Sequence, residues 1–128
     1  MNESFGRALL VIALTAGGPG LQAQTVPDPS SSPQDAVTRL ERELAELRRE
    51  YSDRLAAIGE LGAGYGLGPL LEFFPWTVVP DLTAAMRVVE ATGRADTGVL
   101  VDTLHFDRSG STVQQLDAVP PSRLPLVH

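Results

Sequence analysis

Glu72, Asp102 and His128 each close a short apolar run, and between them they offer the donors that a divalent metal takes. The runs are Pro69-Leu-Leu-Glu-Phe-Phe, Gly98-Val-Leu-Val-Asp and Leu124-Pro-Leu-Val-His. Two carboxylates and an imidazole suit an ion of the Mn, Mg, Co or Zn kind. For three such groups to share one ion, the strands that carry them must end side by side. Each run has the near-continuous Val/Leu character of a parallel strand buried on both faces. In barrels of alternating strands and helices, functional side chains gather where strands end and βα-loops begin. Taken singly, each residue has a plainer reading. A strand-end Glu or Asp is often a helix cap, Asp102 and His105 can form a structural hydrogen bond, and a terminal His is often frayed.

The segments between the runs supply the expected positioning elements. Residues 17–33 are rich in Gly, Pro, Ser and Gln and read as a long loop. Pro33-Gln34-Asp35 opens the longest helix, with Ser32 as N-cap. Val37, Leu40, Leu44, Leu47, Tyr51, Leu55 and Ile58 recur at steps of three and four, giving one apolar stripe. Arg39, Glu43, Glu46, Arg49, Glu50 and Asp53 make the opposite, solvated face. Glycines at 59, 62, 64 and 66 are expected to stop this helix. Asp81 can cap a second helix with Leu82, Ala85, Met86 and Val89 facing inward, and Ser111 a third, short one ending near Leu116. Trp76, in the loop after the first run, reads as packing at the rim. Strand starts near 69, 98 and 124 are one βαβ step apart, so the three donors are expected on one rim.

Leu71-Glu-Phe-Phe-Pro-Trp, followed by Val99-Leu-Val-Asp-Thr-Leu-His-Phe-Asp-Arg-Ser-Gly, resembles the xylose isomerase-like TIM-barrel superfamily, nearest its bacterial sugar phosphate isomerase/epimerase group. Arg123-Leu-Pro-Leu-Val-His resembles the strand that supplies that family's metal-binding His. The resemblance implies an α/β fold, a partial (β/α)8 TIM barrel of about strands 4 to 7, with residues 35–128 forming the barrel region. Residues 1–34 are expected to hold an apolar strand or signal-like segment plus the loop. The resemblance also implies a metal site of Glu72, Asp102 and His128, with Glu72 doubling as catalytic base. His105 would contact substrate or a second metal, Arg108 a substrate oxygen or phosphate, and a further Glu on an eighth strand would lie beyond the chain, so the 128 residues alone are expected to be inactive. The implied partner is a small-molecule sugar or sugar phosphate, transformed by proton abstraction next to a carbonyl through an enediolate.

Composition narrows the classes. The 128 residues are about half of the roughly 250 that a complete barrel needs. The net charge is −6 and every basic residue is Arg, a poor match to a nucleic-acid partner. This weighs against the apurinic-site endonuclease branch of the superfamily, which uses a similar ligand set. The absence of Cys excludes disulfides and thiolate chemistry. No stretch approaches the about 20 apolar residues of a membrane span. Residues 8–15 read either as a buried strand or as the core of a signal peptide over residues 1–24. The first reading goes with a cytoplasmic enzyme, the second with a secreted or periplasmic, non-enzymatic helical protein. A partial barrel also exposes sheet edges through which copies of the chain can associate.

Overall fold

The structure, a computed structural model, describes the backbone of residues 9–12 and residues 32–127. His128 and most of the loop expected over 17–33 lie outside the described residues. The elements run β1 (Leu9–Ile12), α1 (Pro33–Ala63), β2 (Gly68–Glu72), α2 (Leu82–Ala91), β3 (Gly98–Val101), α3 (Thr103–Arg108), α4 (Val113–Asp117), a 3-10 turn (Pro121–Arg123) and β4 (Leu126–Val127). The strands form one sheet in the order β1-β2-β3-β4, every neighbouring pair parallel. Strands that follow sequence order, with helical segments in the crossovers, are the wall of a βα barrel.

Alternation along β2 and β3 separates the core from the site. Leu71, Phe73, Val99 and Val101 pack with Leu55 of α1 and with Leu82, Ala85, Val88 and Val89 of α2 in one buried cluster. The intervening residues, Leu70, Glu72 and Leu100, face the other side of the sheet by the two-residue period of the pleat. Each fully buried Leu or Val contributes about 1.5–3 kcal/mol relative to leaving it in water. The buried Ser52 hydroxyl of α1 donates to the Val88 carbonyl of α2 at 3.1 Å, which satisfies the polar atoms where the two helices touch.

Helix α1 starts as its sequence dictates. The Ser32 hydroxyl accepts from the Asp35 N–H at 3.2 Å, and the Asp35 carboxylate accepts from the Ser32 N–H, also at 3.2 Å. Its end differs from expectation, because the helix runs through Gly59 and Gly62 to Ala63. Gly59 is small because a side chain crosses there. Arg94 donates from Nη2 to the Gly59 carbonyl at 3.0 Å and pairs with Asp96 through Nε at 2.9 Å and Nη2 at 2.7 Å. A Cβ on Gly59 would overlap the Arg94 side chain. Hydrogen bonding to Asp96 raises the guanidinium pKa above its ordinary value. The helix gives way to a turn in which Gly66 adopts φ +70°, a conformation that glycine takes freely. The apolar stripe of α1 is covered along only part of its length: Leu55 is 0% exposed, but Val37, Leu40 and Leu47 are 46%, 59% and 42% exposed.

The Asp81 carboxylate caps α2 by accepting from the Ala84 N–H at 2.7 Å. Ser111, expected to cap the helix that follows it, instead accepts from the Leu82 N–H at 3.2 Å and so ties the α3–α4 loop to α2. Thr112 is the cap of α4, in a reciprocal pair with Gln115. The strand expected to reach Phe74 ends at Glu72, where the chain leaves the sheet. Among the described residues no helix is long and apolar enough to cross a membrane.

A candidate metal centre at the strand ends

Glu72 is the last residue of β2, and Asp102 directly follows β3. The register pairs Glu72 with Leu100, so Asp102 lies two residues further along β3 and on the same face of the sheet. Asp102 is also the N-cap of α3. Its Oδ1 accepts from the N–H groups of Leu104 at 2.8 Å and His105 at 3.1 Å. These bonds fix the carboxylate, and the four or so acceptor positions of an ionised carboxylate leave capacity for a cation. The cap also starts a helical turn that returns His105 over the end of β2. There His105 Nε2 stands 3.7 Å from Glu72 Oε1, with both side chains about 85% buried (15% and 16% exposed).

Glu72, Asp102 and His105 each present a ligand atom within 4.8 Å of the others. Ligands about 2.0–2.2 Å from one ion stand roughly 3–4.5 Å from each other, so small side-chain adjustments would bring all three onto a shared cation. His105 Nδ1 is buried and has no hydrogen-bond partner among the described residues. With Nε2 beside the Glu72 carboxylate, the imidazole can offer that nitrogen to a shared cation.

The remaining site residues named from the sequence divide. His105, expected to touch substrate or a second metal, joins the two carboxylates. His128 lies outside the described residues. Arg108 is exposed at the far end of α3, about 9 Å of helix from the cap, and is not part of the cluster. Two aromatic residues also border the cluster. The Phe74 and Trp76 rings meet the His105 ring in T-shaped contacts, with centroids 4.5 and 5.4 Å away. Trp76, read as packing, meets the Phe74 and His105 rings and is otherwise largely exposed. Phe74 was read as strand, although its place two residues after Glu72 was the signal that it shares Glu72's side of the chain.

No family model matches the chain. It is 30% identical over 86 residues to an inosose isomerase of Halalkalibacterium halodurans, covering 66% of this chain and 30% of that protein. Inosose isomerases of Bacillus velezensis and Bacillus subtilis are 26% and 25% identical over 85 residues. The chain thus spans about a third of the length of the curated relatives it matches. Among solved structures, the crystal structure of the IolI protein with a binding zinc atom is similar in fold. Its TM-score is 0.63 and its identity 24%, over 66% of this chain and 31% of that one. By fold the described residues form a partial parallel βα barrel like that of the IolI structure, and by sequence the chain is similar to inosose isomerases over 66% of its length.

Proposed function

We propose that this partial barrel carries the metal-binding wall of a sugar or sugar phosphate isomerase or epimerase. The observation that carries the reading is the convergence of Glu72, Asp102 and His105 at the C-terminal ends of two parallel strands. The inosose isomerase relatives support the reaction class, and the zinc in the IolI structure supports a divalent ion. Glu72, Asp102 and His105 would hold that ion. His128, directly after β4 in sequence, is kept as a further ligand, and Arg108 as a contact to a substrate oxygen or phosphate. Bound there, the ion would withdraw electron density from neighbouring carbonyl and hydroxyl oxygens of a hydroxy-ketone and acidify the carbon between them. The Glu72 carboxylate would take that carbon's proton as general base, giving an enediolate, and the proton's return at the new position would fall to the eighth-strand Glu that the resemblance implies. The Asp102 carboxylate, held by two amide N–H groups, keeps its place while the charge on the substrate changes. A cytoplasmic location goes with this reading.

Two measurements test it. Titration calorimetry with Mn2+, Co2+ or Zn2+ should show binding that Glu72→Gln and Asp102→Asn each abolish. In deuterated buffer with the metal present, a full-length barrel carrying the eighth-strand Glu should exchange the α-proton of a hydroxy-ketone sugar with solvent, while these 128 residues alone should not. Glu72→Gln should slow that exchange by about 10²-fold or more. Equal metal binding by wild type and both variants would remove these residues from the site.

A further inference from the structure

Histidines that bind metals usually donate their second ring N–H to a carboxylate or carbonyl, and that bond sets the direction of the ring. His105 lacks this device, because its Nδ1 is buried without a hydrogen-bond partner among the described residues. Two aromatic rings contact the imidazole. Phe74 lies 4.5 Å from the imidazole at an interplanar angle of 63°, Trp76 lies 5.4 Å away at 83°, and the two aromatics are 5.8 Å from each other. T-shaped contacts at these distances are the favoured aromatic arrangement and are specific in direction.

The loop that presents the two aromatics is itself tied down. The Phe74 N–H donates to the Val79 carbonyl at 3.1 Å, and the Phe74 carbonyl accepts from the Thr77 N–H at 3.0 Å and from the Thr77 hydroxyl at 2.9 Å. Arg48 of α1 donates from Nε to the Val78 carbonyl at 3.2 Å. We propose that Phe74 and Trp76 are positioning residues that clamp the His105 imidazole with Nε2 toward Glu72, replacing the hydrogen bond that ordinarily orients a ligand histidine. The inference rests on the metal-site reading above for its consequence, but the orientation of the ring can be read without any metal. An aromatic clamp has a chemical effect of its own. It fixes the direction of the ring without placing a negative charge behind the imidazole.

The test uses Trp76→Ala, Trp76→Phe and Phe74→Leu in the full chain, with His105→Gln to assign the imidazole signals. Trp76 is 67% exposed, so its removal should leave the far-UV spectrum and the melting curve nearly unchanged. In metal-free protein, Trp76→Ala and Phe74→Leu should move the His105 ring resonances toward those of free histidine, and Trp76→Phe should retain most of the native shift. Zinc affinity by calorimetry should fall about tenfold or more in Trp76→Ala and recover in Trp76→Phe. Unmoved His105 resonances, or wild-type zinc affinity in both Trp76→Ala and Phe74→Leu, would overturn the clamp. If the wild type binds no zinc, the metal reading fails, and the metal-free ring resonances alone decide for or against the clamp.

Discussion

Asp102 does two things with one carboxylate: it caps α3 and it faces Glu72 and His105. The two roles can be separated because Asn caps a helix about as well as Asp but lacks the charge. Asp102→Asn should therefore keep α3 and the thermal stability while losing metal affinity. Asp102→Ala should lose the affinity and a further ~1 kcal/mol of stability with the cap. Calorimetry and thermal melts on the two variants distinguish these outcomes, and equal stability loss in both would deny the capping role. Glu72 and Asp102 were legible in the sequence because each ends an apolar run. His105 was legible as a site residue, but its nearness to Glu72 was not, since that depends on how tightly α3 turns after its cap.

At the scale of elements, caps followed local rules and close packing did not. Ser32 and Asp81 cap the helices that the sequence indicated, because a capping bond spans only a few residues. Asp81→Ala should cost about 1 kcal/mol, readable as a lower denaturation midpoint with an unchanged slope. Gly59 and Gly62 looked like a helix stop and are instead buried helical positions. Exposed helical glycines are normally improved by alanine. Gly59→Ala should do the reverse and lower the melting temperature, because the new Cβ meets an Arg94 side chain already held by Asp96 and by the Gly59 carbonyl. The same substitution in an Arg94→Ala background should be neutral or stabilising. A stabilised single variant would show that Arg94 gives way at no cost.

For the whole molecule, the open sheet and the half-covered stripe of α1 have a common consequence. Among the described residues β1 and β4 are the outer strands of the sheet, and Val37, Leu40 and Leu47 leave apolar surface exposed on α1. Exposed strand edges and apolar patches favour association. Sedimentation velocity should show concentration-dependent self-association that Leu40→Glu reduces, and a single monomeric species across the concentration range would count against it. The order of elements and the donors at the strand ends were set by the sequence alone, because periodicity, caps and turns act over a few neighbouring residues. Tertiary structure decided what those donors could do. The β2–β3 register put Glu72 and Asp102 on one face, the turn of α3 brought His105 within reach of both, and the loop after β2 set Phe74 and Trp76 against its ring. These contacts join segments far apart in the chain, and strand pairing and side-chain packing fix them where no local pattern can.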